Sequence, residues 1–540
     1  MTSISRIENS WNAIPEQIFN ALLVTSSGED NLTIQANSLL DALKHNKTPE
    51  MVATLLGMVM SAWEQSIMSP SAAAFANAVH EQTMFLPPKV ASFCAWVAAL
   101  KPESESRLER LQQCTASNDI DAAKRMLERI YQQENQNPFW LRQAGILAYL
   151  FGELDWYESW LHKLPLPPGF ANVLRAEYAF ARSDWAAAAQ FYAAAHEATG
   201  MTGWLAQQSE CLRRMGQRDE AMAGFEKAFS ERPWQLDLLL RLADLKRGAD
   251  LPANGITGKG EILLYSWNHA ADLNRALSAL AESELYGYKI TVLNNGSTDN
   301  TPEILSIWQD RLGDNLRCIT LPVNVGAPAA RNWLLSLDYC RSADWVIFLD
   351  DDAIVPPDWL DYFGKTMQLY PEAEILGCKV VDARAPLRPQ SVDLHLDKHL
   401  ESKFRLIEGH SRFADRGQYS YMRPATSVIG CCHLLKRNNI DAVGDFDLRF
   451  SPSQFDDQER DIRSCTMGRF CLYNGYLTVK HMKYTGGGTG FNRWLMANVK
   501  GNVEKMWASY TGEQIDAVIE KDRALLREDL QDRLRLVYGS

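Results

Sequence analysis

At 540 residues the chain is too long for one hydrophobic core and implies several domains. Its hydrophobic fraction of 46% and charged fraction of 23% are those of an ordinary globular protein, and a net charge of −12 argues against a nucleic-acid phosphate footprint. The N-terminus has no basic start followed by an apolar block, no apolar run reaches the ~20 residues of a membrane span, and the ten cysteines are scattered without a CxxC, so a reduced cytoplasmic protein is expected.

Residues 1–245 are helical in pattern, with apolar residues recurring every three or four positions, as in PEMVATLLGMVMSAWEQ. They divide into a helical region at 1–104 and a repeating region at 105–245. In the repeating region MGQRDEAMAGFEKAFSERP carries Gly216, Ala221, Phe225, Ala228 and Pro233. A step of 33 residues back, Ala188, Tyr192 and Ala195 hold matching positions; FGELDWYESWL is a degenerate copy, and NDIDAAKRMLERI places Ala123, Leu127 and Ile130. Small residues let paired helices approach closely while the larger one fills the gap between repeats. The pattern resembles tetratricopeptide repeats, whose concave groove binds peptides or proteins; a generic alanine-rich bundle is the alternative.

Residues 246–260, with Gly, Pro, Asn and charges, read as a linker. Beyond it, EILLYS (261–266), KITVLNN (289–295), LRCITLP (316–322) and DWVIFLD (344–350) are short β-rich runs separated by helical segments. Strand–helix alternation predicts an α/β domain over 261–490 built on a mostly parallel sheet. Ligands of such sheets sit at the carboxyl ends of the strands, where NNGSTD (294–299) and DDD (350–352) fall. A C-terminal helical extension over 491–540 ends in a charged amphipathic helix expected to dock on the body or on a partner.

Asp350, Asp351 and Asp352 follow an apolar strand, and three adjacent carboxylates need a reason. A Walker B role requires a GxxxxGK[ST] loop, which is absent. The nucleophile loop of haloacid-dehalogenase-like phosphatases usually opens its domain, whereas three strand–helix units precede this one. Capping of a helix from Pro356 does not account for three acids. A divalent cation held between carboxylates and a diphosphate does.

In order along the chain, ILLYSWN, VLNNGSTDNTPEIL, PVNVGAPAARNWLL, FLDDDAIVPPDWL and AVGDFDLRFSPSQFDDQERDIRSCTMG resemble the successive motifs of family 2 glycosyltransferases with the GT-A fold, over about residues 260–485. The resemblance implies metal-dependent, inverting transfer of a sugar from a nucleoside diphosphate, UDP first and dTDP as the alternative, with Mn²⁺ or Mg²⁺ as cofactor. It implies donor-binding roles for Ser266, Asn268, Asn294, Asn295, Ser297, Arg331, Asp350 and Asp351, and metal-binding roles for Asp352, Asp350 and His481. It implies Asp457 as the catalytic base, with Asp456 and Glu459 as alternatives. Asn294-Asn295 departs from the family's usual Asp-Asp; an amide oxygen still accepts a base N–H, without the charge.

TGGGTGF (485–491) suits a mobile loop over the donor or acceptor. His395 and His399 lack the glutamate of HExxH and read as acceptor-region or surface residues, not zinc ligands. The architecture suggests a protein acceptor recruited by the helical arm. The alternatives are a glycan or lipid-linked acceptor in cell-surface polysaccharide synthesis, and a non-catalytic interaction protein with a decayed transferase domain.

Overall fold

The computed structural model describes residues 3–162, 166–399, 403–408, 414–482 and 493–539. Among them, fifteen helices precede the first strand. The repeat positions behave as their spacing requires: Ala123, Leu127, Ile130, Ala188, Tyr192, Ala195, Ala221, Phe225 and Ala228 are all buried. They lie on the second helices of successive pairs, Ile120–Gln133, Trp185–Thr199 and Arg218–Glu231. Two of these helices start the same way, Asp119 and Asp184 each accepting a backbone N–H three residues on, from Ala122 and Ala187, at 3.1 Å. From Pro168–Ala181 to Leu236–Lys246 each helix packs on the next.

Three helices of this arm hold residues 416–417 of the same chain. Arg416 donates to the Gln65 carbonyl at 2.9 Å and pairs with Glu177 of helix Pro168–Ala181 at 2.9 Å. Arg241 of helix Leu236–Lys246 donates to the Gly417 carbonyl at 3.4 Å. Gly417 holds φ +94°, and a Cβ there would stand 2.3 Å from Glu210 Cγ on helix Gly203–Arg214. Over these three helices the arm is a seat for residues 416–417 of the same chain.

Strands β1 (Gly260–Ser266), β2 (Lys289–Asn294), β3 (Leu316–Thr320) and β4 (Trp345–Leu349) fall where the β-rich runs do. Next come β5 (Ala353–Ile354), β6 (Ile375–Asp382), β7 (Pro389–Ser391), β8 (Leu394–Asp397), β9 (Arg405–Glu408), β10 (Met422–Ala425), β11 (Cys432–Lys436) and β12 (Cys471–His481). The main sheet runs β10-β12-β6-β11-β4-β1-β2-β3, with β5 on β12 and β7 on β6. The half from β4 to β3 is parallel, as expected, but β11 enters antiparallel to both β4 and β6, so the whole sheet is mixed. Among the described residues β7 to β10, and no helix, lie between β6 and β11.

Helix Gly512–Tyr538 starts with a capping box between Thr511 and Gln514 and docks on the body. It packs against helix Leu236–Lys246, β8, β10, helix Asp456–Thr466 and the first two helices of the chain. Its Arg533 is buried and pairs with Asp244 at 2.6 Å. Arg527 of the same helix donates to Asn20 at 2.8 Å, and Arg423 of β10 donates to the Leu23 carbonyl at 2.6 Å. His395 is not a surface residue: it is fully buried, its two ring nitrogens each 3.0 Å from a carboxylate, Asp393 and Asp522. Among the described residues no helix is long and apolar enough to cross a membrane.

Candidate active site

The carboxyl ends of β1 and β2 lie side by side, Ser266 opposite Asn294, with the Asn295 N–H donating to the Ser266 carbonyl at 2.8 Å. Gly296 holds φ +71°, and a Cβ there would stand 2.4 Å from the Val323 backbone, so this turn requires glycine. Asn294 Oδ1 accepts from the Ser297 N–H at 3.0 Å. Asn295 spans to the next loop, donating to Asn324 Oδ1 at 2.9 Å and accepting from the Val325 N–H at 3.0 Å. Asn268, at φ +56°, accepts from the Thr298 N–H at 2.7 Å, and its own N–H donates to Ser297 Oγ at 3.0 Å. These amides knit the loops to each other. Ser266 Oγ and Asn294 Nδ2 remain buried without a hydrogen-bond partner at adjacent strand ends.

The acidic cluster forms where β4 and β12 end and β11 begins. The Asp350 N–H donates to the Cys431 carbonyl at 2.9 Å, and the Met482 N–H to the Asp352 carbonyl at 3.0 Å, so both neighbouring strands hold the loop 350–352. His481, the last residue of β12, brings Nε2 to 2.9 Å from Asp352 Oδ1 and 3.7 Å from Asp350 Oδ2. Its Nδ1 faces Gln390 Oε1 at 2.7 Å. Ligand atoms of Asp350, Cys431 and His481 all lie within 4.8 Å of one another. Two carboxylates and an imidazole form an oxygen–nitrogen set that fits a hard divalent cation. Asp351 is half-buried beside them. Burial pushes the Asp350 carboxyl up to about 6; Arg331 and His481 oppose the rise, and Asp352 and Asp457 add to it.

Arg331, on helix Ala327–Leu335, is buried under the rings of Tyr265, Phe348 and Phe446. Its Nη1 lies 2.5 Å from Asp456 Oδ2 and its Nη2 3.8 Å from Asp350 Oδ1. Three acids of helix Asp456–Thr466 thus separate. Asp456 is buried against Arg331, and Glu459 is buried between Arg463, at 3.0 Å, and the Tyr510 hydroxyl, at 3.0 Å. Asp457 is half-buried, its Oδ2 accepting the Gly430 N–H at 2.6 Å.

Residues 485–491 lie outside the described residues, apart from which the expected site residues converge on one end of the sheet. Gly430, Cys431 and Gln390 escaped the sequence reading. Cys431 counted there only among the scattered cysteines, and Gln390 belongs to no motif.

Residues 262–444 match the model of the family described as glycosyl transferase family 2. The chain carries a family 2 glycosyltransferase domain. The "O-antigen biosynthesis protein RfbC" of Myxococcus xanthus is 28% identical over 192 residues, 35% of this chain and 14% of that protein, so the chain spans only a small part of this curated relative. Among solved structures, the mannosyltransferase PcManGT of Pyrobaculum calidifontis, in complex with GDP-Man and Mn²⁺, is 15% identical with a TM-score of 0.36, over 56% of this chain and 84% of that one. GalNAc-T7 with UDP, GalNAc and Mn²⁺ is 11% identical with a TM-score of 0.38, over 51% of this chain and 55% of that one. The family 2 match takes in Ser266, Asn294, Arg331 and Asp350–Asp352 but stops before Asp456, Asp457 and His481, which fold back onto it.

Proposed function

We propose that the chain is an inverting glycosyltransferase moving a sugar from a nucleoside diphosphate to an acceptor hydroxyl. The observation that carries this reading is the 2.9 Å approach of His481 Nε2 to Asp352 Oδ1, with Asp350 beside them, at the carboxyl ends of the strands. Asp350, Asp352 and His481 would hold a divalent cation, Mn²⁺ or Mg²⁺, which would supply positive charge against the leaving diphosphate. Asp457 takes the proton of the acceptor hydroxyl as the acceptor oxygen bonds to the anomeric carbon, while the carbon–oxygen bond to the diphosphate breaks and its electron pair leaves with the diphosphate. Of the four acids on its helix, Asp456 is paired with Arg331, Glu459 with Arg463, and Asp461 accepts from Ser427 and the Val428 N–H, whereas Asp457 is half-buried and the Gly430 N–H fixes one of its oxygens.

Arg331 keeps these carboxylates in register, reaching Asp456 on one side and Asp350 on the other. Uridine first and thymidine second are the nucleosides proposed for the β1–β2 end, beside which Ser266 Oγ and Asn294 Nδ2 lie unpartnered. For the acceptor, a protein brought by the arm must meet a surface other than the face that holds Arg416. The name of the RfbC relative favours a glycan or lipid-linked acceptor.

The test is nucleotide release with Mn²⁺ across UDP-, dTDP- and GDP-sugars. Release that EDTA abolishes is expected for at least one donor. If none is turned over, and Asp352→Ala leaves nucleotide binding unchanged, the reading fails.

A further inference from the structure

Gln390 sits on β7, the short strand paired with β6, and is absent from every motif of the sequence. It touches His481 twice. Its Oε1 lies 2.7 Å from His481 Nδ1, and its Nε2 donates to the His481 carbonyl at 3.4 Å. The two contacts depend on each other. A carbonyl oxygen only accepts, so it takes the amide NH₂ and turns the amide oxygen toward the ring. An amide oxygen also only accepts, so Nδ1 must carry the hydrogen. Nε2 is then the nitrogen aimed at Asp352 and Asp350.

We infer that Gln390 is a positioning residue for the donor-site cation: it fixes the ring orientation and tautomer of His481 so that the Nε2 lone pair faces the metal position. The inference rests on the reading of His481 as a metal ligand. His481 has several other ways to be placed wrongly. Without Gln390 the ring could turn about its Cβ–Cγ bond or place its hydrogen on Nε2, and either change removes one ligand from the set. Partners of this kind are generally worth 10–100-fold in metal affinity. A glutamate at this position keeps an acceptor facing Nδ1; a methionine of similar length does not.

The experiment titrates the whole chain with Mn²⁺ alone and reads the unbound ion by electron paramagnetic resonance. Gln390→Met should weaken Mn²⁺ binding about tenfold or more, Gln390→Glu should restore it, and His481→Ala should weaken it at least as much as Gln390→Met. Loss in His481→Ala with undiminished affinity in Gln390→Met overturns the inference and leaves the metal site standing. Undiminished affinity in His481→Ala overturns the metal reading and the inference with it. A second measurement does not depend on any variant folding: ¹⁵N shifts of the His481 ring in the metal-free protein, assigned by comparison with His481→Ala. Hydrogen on Nδ1 supports the inference; hydrogen on Nε2 alone overturns it.

Discussion

Arg331 and Asp456 meet at 2.5 Å with both side chains buried, joining the helix after β3 to the helix that carries the proposed base. Removing one partner of such a pair leaves the other charge stranded in the interior. Asp456→Asn should therefore destabilise the protein by about 3–5 kcal/mol, seen as a lowered denaturant midpoint. Asp457→Asn should leave that midpoint nearly unchanged, because its amide oxygen still accepts the Gly430 N–H. Transfer in Asp457→Asn should drop by about 100-fold or more. A reversed pattern would assign the base to Asp456.

The Asp350 carboxyl gives a pH signature. Burial is the largest cause of its rise to about 6, so the folded protein holds this proton more tightly than the unfolded chain, whose value is near about 4. The contribution to stability is thus greatest at low pH and is lost as pH climbs from about 4 through about 6. Metal binding runs the other way, because the cation needs the carboxylate. Mn²⁺ affinity, followed by calorimetry, should fall as pH drops below about 6, and Asp350→Asn should remove that step.

His395 supplies the opposite end of the scale. Burial alone would lower its pKa, but Asp522 and Asp393 outweigh burial and the nearby Arg423, and hold the imidazolium above the usual histidine value. Its contribution is full below about 6.5 and is lost as pH rises through the folded value. Thermal melts should show a loss of stability on the alkaline side that His395→Leu abolishes. That variant should also be less stable at neutral pH, since Asp393 and Asp522 each lose one partner while keeping Arg423 and Arg523.

Gly417 tests the seat on the arm. Gly417→Ala combines an unfavourable φ of +94° with a Cβ 2.3 Å from Glu210 Cγ. The backbone strain alone costs about 1–3 kcal/mol. Hydrogen exchange should rise both in the segment after residue 414 and in the helices Pro168–Ala181 and Gly203–Arg214. Exchange rising on one side alone would mean that the two surfaces do not depend on each other.

Much of this fold was legible in the sequence because its signals are local. Period-3.6 patterning marked the helices, and β-rich runs ending in polar loops marked β1 to β4 within a residue or two. What could not be read is what depends on residues distant in sequence. The antiparallel entry of β11 is a matter of its partners, β4 and β6, which lie more than 45 positions before it. His395 looks like a surface residue until Asp522, 127 positions away, arrives beside it. The same holds in the site: Asp350, Asp352 and His481 were each visible, whereas Gln390 acquires meaning only from its distance to His481.

The last long helix has a consequence for the order of events during synthesis. Helix Gly512–Tyr538 lies against the first two helices of the chain, with Arg527 bonded to Asn20, and β10 reaches the Leu23 carbonyl through Arg423. These contacts join residues some 400 to 507 positions apart. Contacts of such sequence separation form late, since loop closure must come before they return any stability. On the ribosome, the earliest helices must therefore wait for the latest ones, with part of their apolar surface uncovered until the Gly512–Tyr538 helix emerges.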